Sequence, residues 1–248
     1  MRSYLLQPDT HDNRDYNFTT CSVSCGEQLP VQVDLRPDCS PVVKQGILGS
    51  CTANAIVSGL REYLLLKDKQ PLTRLSRLFL YYEERALEGT TNRDSGASIR
   101  SGMKVLSTIG VCPEANKPYN VTSFKQPPTG EQIKEAAKFK VQEYHRVTSL
   151  YNLKVALAEG LPVVMGLKIF ASFEGDKVAK MGIVSVPDLN NEACLGGHAV
   201  CVVGYDDSRS WCIVRNSWGT DWGDGGYFYL PYQMVTPQYI VDMWTSKG

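Results

Sequence analysis

The chain has 248 residues and carries 26 Lys plus Arg against 26 Asp plus Glu, a formal net charge of zero. That balance, with no long basic run, argues against a nucleic-acid partner, since binding phosphate needs an excess of cations to release its counterions. With 43% hydrophobic and 21% charged residues the composition is that of a folded globular chain, long enough for one large domain or two lobes. No run approaches the roughly 18 apolar residues of a membrane span. The opening stretch MRSYLLQPDTHDNRDYNFTT lacks the apolar core of a secretory signal. A cytoplasmic location is expected if the chain is complete, and a secreted or lysosome-like one if a signal has been removed.

Residues 1–28 are polar and aperiodic and run into Gly26-Glu27-Gln28-Leu29-Pro30, so they read as an N-terminal extension outside the core, followed by one domain over 29–248. From Cys51 to about Lys69, the positions Ala55, Ile56, Leu60, Tyr63 and Leu64 recur at helical spacing and charges gather at the end. This predicts one long helix opening at or just before Cys51. Ser76 to Glu88 and Ser98 to Ile109 read as two more helices, the second closing on Gly110. A helical lobe over about 45–125 follows.

After a Pro-rich connector from Lys117-Pro118-Tyr119 to Pro127-Pro128 come a short helix from about Glu131 and a strand around Lys140–Tyr144. Ser149 can cap a further helix that stops at Gly160. The pattern then changes to short β-rich runs, Pro162–Ile169, His198–Tyr205, Trp211–Asn216, Gly226–Leu230 and Tyr239–Trp244, separated by Gly, Asp and Asn turns. The second half, about 126–248, is therefore an antiparallel sheet or barrel. Helices first and strands second is an α+β arrangement of two lobes.

Eight cysteines, at 21, 25, 39, 51, 112, 194, 201 and 212, are too few for a disulfide scaffold and too irregular for paired zinc ligands. Cys21 and Cys25 read as surface thiols or one local disulfide, and His11, His145 and His198 show no ligand spacing. No metal and no cofactor is expected. Cys201 and Cys212 stand in apolar runs and read as buried small hydrophobes.

The strongest local signal is Gln45-Gly46-Ile47-Leu48-Gly49-Ser50-Cys51 at the start of the first helix. A thiol there feels unsatisfied N–H groups and the positive end of the helix dipole, both of which favour the thiolate. Such a cysteine is a candidate nucleophile and needs a base. His198 heads a strand in Gly196-Gly197-His198-Ala199-Val200, and Asn216 opens Asn216-Ser217-Trp218-Gly219-Thr220-Asp221-Trp222-Gly223.

With these runs in their order, the chain resembles a papain-family cysteine peptidase. The likeness extends from Val33-Asp34-Leu35-Arg36 through Gln45–Cys51 and Gly110-Val111-Cys112-Pro113-Glu114 to Gly226-Tyr227. Within the family it is most similar to short bacterial and viral-type members with a Gly-Ser-Cys-Thr-Ala-Asn start. The resemblance implies a papain-like two-lobe fold with the active site in the cleft between a helical lobe and an antiparallel β lobe. It assigns Cys51 as the nucleophile, His198 as its acid-base partner, Asn216 as the group that orients the imidazole, and Gln45 as an oxyanion-hole donor. Trp218 would shield the His198–Asn216 contact. Gly96, Ala97, Gly166, Leu167, Gly197 and Trp218 would line the substrate groove.

Three departures accompany the likeness. A usual family cysteine is replaced by Ile47 or Leu48, and the loop Asn92-Arg93-Asp94-Ser95-Gly96 lacks its partner, so that disulfide is absent. Thr52 stands where an aromatic residue normally follows the nucleophile. The glycine pair of the substrate strand is reduced to Gly96 followed by Ala97. The expected activity is hydrolysis of peptide or protein substrates by a monomer with no membrane attachment. An acyltransferase or peptide ligase using the same pair, or a cleft-blocked binding homologue, are the alternatives. Residues 1–28 are too short for the family's helical prodomain, yet an extended strand of about eight residues can cross a cleft. Self-inhibition by this segment, as in a zymogen, is the reading, with Tyr16, Phe18 and Cys21 offered to apolar subsites.

Overall fold

The computed structural model describes residues 3–10, 12–18 and 28–247. His11, Cys21 and Cys25 lie outside the described residues, and the other six cysteines are free thiols. The helices come first. Helix α1 (Cys51–Ala53) passes into a π-helical stretch (Asn54–Arg61) and on into α2 (Glu62–Lys67). The single long α-helix expected here is thus wound more widely at its centre. All eight π-helical residues are buried, and a Cβ on Gly59 would come within 2.9 Å of Cys201 Sγ, so the helix backbone rests directly on a strand. Tertiary packing outweighs the local winding preference there.

Helices α3 (Arg77–Glu88) and α4 (Ile99–Thr108) begin where the sequence supplies caps: the Ser76 hydroxyl accepts the Phe79 N–H and the Ser98 hydroxyl the Ser101 N–H. Thr129 and Gln132 form a capping box on α5 (Gly130–Ala136), and Ser149 caps α6 (Leu150–Ala158). A last short helix, α7 (Asp176–Met181), follows a 3-10 turn at Ala171–Glu174 and has no counterpart in the sequence reading.

Seven strands, β1 (Gln32–Asp34), β2 (Glu143–Arg146), β3 (Val163–Phe170), β4 (Cys194–Asp206), β5 (Trp211–Arg215), β6 (Tyr227–Pro231) and β7 (Ile240–Lys247), form one antiparallel sheet. The order is β2-β7-β3-β4-β5-β6, with β1 attached to β4. Of the two arrangements left open by the alternation, barrel or sheet, the sheet is the one formed, and it is not closed into a barrel. β4 reaches past β3 to pair with β1 and β5, which ties the sheet to the chain leading into the helices.

One contiguous apolar cluster joins α1–α4 to β3, β4, β5 and β7. Leu6 and Phe18 belong to it, at 6% and 2% exposure. The expectation of an N-terminal extension outside the core is corrected at those residues, because two apolar side chains this far apart leave no periodic signal. Among the described residues no helix is long and apolar enough to cross a membrane.

Candidate active site

The turn from Gln45 to Ser50 is held by side chains rather than by regular structure. Gln45 donates its backbone N–H to Ser217 O at 2.8 Å, its Oε1 accepts the Ser217 hydroxyl at 2.6 Å, and its Nε2 donates to Leu48 O at 3.0 Å. The amide is therefore fixed, with one Nε2 hydrogen left beyond the Leu48 bond. Tyr119 OH donates to Gln45 O at 2.8 Å and meets Ser50 Oγ at 2.6 Å, while Asp94 accepts the Gly49 N–H at 3.0 Å. Nothing in the local sequence around Asp94 points to this task. Tyr119 lies in a run that carried the family likeness, without a role attached.

Cys51 opens α1 at the end of this turn and is 2% exposed. Its thiol lies by the backbone of Ala199, the residue after His198. Burial pushes the thiol up to about 12, against the hydrogen bonds from Ala199 and Thr52 that favour the thiolate. The sequence reading weighed the helix terminus alone; with solvent removed, the cost of dehydrating the charge is larger.

β4 and β5 bring the other two groups together. They pair antiparallel up to Cys201 opposite Arg215, so His198 on one strand and Asn216 just past the other emerge at the same end. His198 Nε2 lies 2.9 Å from Asn216 Oδ1, and Ser217 N–H donates to the same oxygen at 2.8 Å. Trp218 stacks on the imidazole with ring centroids 4.9 Å apart, and Trp222 meets Trp218 edge-on at 4.8 Å. At 2% exposure the imidazole is sealed on that side, and low polarity strengthens its bond to Asn216.

The groove beside these residues is occupied by the chain's own N-terminus. Leu6 donates its N–H to Gly197 O at 3.1 Å and Gln7 donates to Ala97 O at 3.0 Å. Both bridges formed by this run, Leu5 with Gly197 and Gln7 with Ser98, are parallel. Gly96, at φ +67°, would collide with the Leu5 carbonyl if it bore a side chain. A Cβ on Gly166 would lie 2.8 Å from Leu6 Cδ2, so the leucine fills the space that this glycine leaves. The Tyr4 ring is 6.1 Å from His198 and 6.3 Å from Trp218, and its hydroxyl donates to Glu174.

Gly96, Ala97, Gly166, Gly197 and Trp218 are thus gathered along one groove. Leu167 is not. Adjacent strand residues face opposite sides, and with Gly166 turned to Leu6, the fully buried Leu167 packs into the core. The occupants of the groove are Tyr4–Gln7, not the side chains that the sequence reading offered. Tyr16 is 77% exposed, Phe18 packs edge-on to His145, and Cys21 lies outside the described residues. A cavity of about 950 Å³ adjoins the groove, lined by Tyr4, Gln45, Ile47, Leu195, His198 and Trp218. Ile47 and Leu195 escaped the sequence reading, since an isolated apolar residue in a turn carries no pattern.

Residues 29–240 match the papain family cysteine protease domain. The chain is 38% identical over 218 residues to an uncharacterized peptidase C1-like protein of Acanthamoeba polyphaga mimivirus, covering 84% of this chain and 70% of that one. It is 30% identical over 231 residues to cysteine proteinase 3 of Entamoeba histolytica, covering 89% and 70%. Among solved structures, xylellain, a cysteine protease from Xylella fastidiosa, superimposes with a TM-score of 0.92 at 39% identity, over 99% of this chain and 96% of that one. The chain belongs to the papain family of cysteine proteases.

Proposed function

We propose that the cysteine peptidase activity of this chain runs through Cys51 as nucleophile and His198 as its acid-base partner, and that the N-terminal segment restrains it before use. The observation that carries the reading is the fixed amide pair: Asn216 Oδ1 on His198 Nε2, and Gln45 held beside the turn into Cys51. Because Asn216 Oδ1 accepts, Nε2 carries the hydrogen, and Nδ1 is left to take the proton of the Cys51 thiol.

The reaction then follows in two steps. The thiolate attacks the peptide carbonyl carbon, a C–S bond forms, and the carbonyl electrons move to oxygen, stabilised by the Cys51 N–H and the remaining Gln45 Nε2 hydrogen. His198 returns its proton to the amine nitrogen as the C–N bond breaks, leaving a thioester. Water, losing a proton to His198, attacks the thioester and releases the carboxylic acid and the thiolate. Trp218 keeps bulk water from the imidazole throughout.

Residues 1–28 act as the restraining segment of a peptidase domain over 29–248, whose lobes divide at about 125. Tyr4–Gln7 use the backbone groups of Gly197 and Ala97 that a peptide substrate needs, so substrate must displace them. A short tether makes even a weak occupant effective, with an effective concentration in the millimolar range. Leu6 also marks the substrate class: peptides with a medium-sized apolar side chain second from the scissile bond.

Alkylation by an epoxysuccinyl thiol trap followed by peptide mapping tests the assignment. Label on Cys51, lost together with peptidase activity in Cys51→Ala, is expected. Label on Cys194, an exposed thiol four residues before His198, with Cys51 untouched, overturns it.

A further inference from the structure

We propose that Asp9 latches the restraining segment and that protonation sets the latch: seating the segment brings Asp9 and Asp15 to Asp242, Arg100 and Arg146 and leaves that ion cluster one cation short, so it holds in acid and slackens towards neutrality. The inference rests on the reading that Tyr4–Gln7 occupy the groove and restrain the enzyme.

The seat for Asp9 is built from three elements of the enzyme body. Asp9 Oδ1 accepts the backbone N–H of Arg100 in the first turn of α4 at 3.1 Å. Oδ2 accepts the indole N–H of Trp244 on β7 at 2.7 Å and a guanidinium N–H of Arg146 on β2 at 3.2 Å. The Asp9 side chain is 1% exposed, so these donors replace its water entirely. Asp242 on β7 accepts the Asp9 backbone N–H at 3.1 Å. Pro8, with its fixed φ, stands between this anchor and Gln7, so movement at Asp9 passes directly to the run that carries Leu6 and Tyr4.

Charge within the cluster does not balance. Arg146 pairs with Asp9 at 3.2 Å, Asp15 at 3.1 Å and Asp242 at 2.8 Å, and lies 4.3 Å over the Trp244 ring. Arg100 pairs with Asp15. Three carboxylates therefore face two guanidiniums. Among the described residues the remaining charges nearby do not repair this, since Asp12 and Arg14 pair with each other at 2.7 Å and Lys104 is exposed at the rim of the neighbouring cavity, where Tyr144 contributes only a phenol. One negative charge is left in excess in a cluster whose Asp9 and Asp242 side chains are buried, and a proton removes it.

Burial, and then Asp242, hold the Asp9 carboxyl up at about 6 from its ordinary 3.8, against the hydrogen bonds from Trp244 and Arg100 and the charge of Arg146. A carboxyl raised in the seated state binds more protons seated than free. Seating is therefore strongest in acid and weakens as pH rises through the interval between the two values, by roughly tenfold from about pH 5 to about pH 7.5.

The test is the rate of Cys51 alkylation by an epoxysuccinyl trap in the full chain and in Asp9→Asn, whose side chain cannot ionise. Taking the ratio of the two rates at each pH removes the ionisation of Cys51 and His198, which both chains share. The ratio of parent to variant should climb about tenfold between about pH 5 and about pH 7.5; a flat ratio overturns the latch. Leu6→Asp, which forces a charge into the apolar seat, separates the two ideas. Faster alkylation in Leu6→Asp with a flat Asp9 ratio removes the latch alone, whereas no acceleration in Leu6→Asp removes the restraint as well. In the unmutated chain the Asp9 carboxyl carbon should titrate by NMR with a midpoint near 6, and a midpoint at its ordinary value overturns the proposal.

Discussion

Asn216 grips His198 through a side-chain oxygen that serves two donors, the imidazole at 2.9 Å and the Ser217 N–H at 2.8 Å. The backbone donor fixes which end of the amide faces the ring, so the tautomer of His198 is set through Asn216 by Ser217, the residue that follows it. Removing the amide in Asn216→Ala leaves the acid-base group present but free to rotate. The expected loss in kcat is roughly ten- to hundredfold with KM little changed, well short of the complete loss in Cys51→Ala. Steady-state kinetics of the two variants decide it: equal losses would mean that Asn216 does more than orient the ring.

The Cys51 thiol gives a second expectation. Burial holds it up at about 12, so around neutral pH the buried thiol keeps its proton. A thiol pushed up is un-ionised below that value and gains reactivity as its burial is relieved. In Leu6→Asp the alkylation rate should therefore reach half its maximum at a much lower pH than in the parent chain. The pH profile of alkylation by a neutral haloacetamide measures this, and an unchanged midpoint contradicts it.

Leu6 and Gly166 define the third. The leucine methyl occupies space that a Cβ on Gly166 would enter, and that Cβ would also lie 3.2 Å from Val241 Cβ. Gly166→Val fills that pocket from the strand side. Hydrolysis of a substrate with Leu second from the scissile bond should fall at least about tenfold relative to the Ala analogue, since a methylene or two in a tight apolar site is worth that much. Ratios of kcat/KM for the two substrates are the measurement, and an unchanged preference would place substrate side chains elsewhere.

How far the sequence could lead is visible in these same residues. Gln45–Cys51, Gly197–Val200 and Asn216–Gly223 were legible because each is a short run whose chemistry is local, and so was the cap at Ser149, which answers to a bond three residues away. The π winding of Asn54–Arg61 was not, because the same apolar positions suit an α-helix, and the deciding contact, Gly59 on Cys201, spans the two lobes. Alternation in the strands gave the faces but not whether the sheet closes. The seat of Asp9 was hidden for a plainer reason. Asp9, Arg100, Arg146 and Asp242 are scattered over the chain, and each alone reads as a solvated charge.

Glu84 supplies the last prediction. It is fully buried in α3 beneath the start of α1, where Thr52 Oγ1 donates to its Oε2 at 2.7 Å while Oε1 has no hydrogen-bond partner among the described residues. Burial drives this carboxyl well above its ordinary 4.5, against the Thr52 bond. The sign follows from proton counting: above 4.5 the unfolded chain has lost a proton that the folded chain retains. Folding is therefore favoured below the ordinary value, and stability drains away as pH rises towards the raised one. Glu84→Gln keeps the shape and the acceptor for Thr52 but cannot ionise. Thermal unfolding of the two chains should nearly coincide at about pH 4 and separate with rising pH, the glutamine chain melting higher by roughly 2–4 °C for each kcal/mol regained. The difference between the two curves isolates Glu84 from every other titrating group. Parallel curves from about pH 5 to about pH 8 would mean that the buried carboxyl carries its charge in the folded chain.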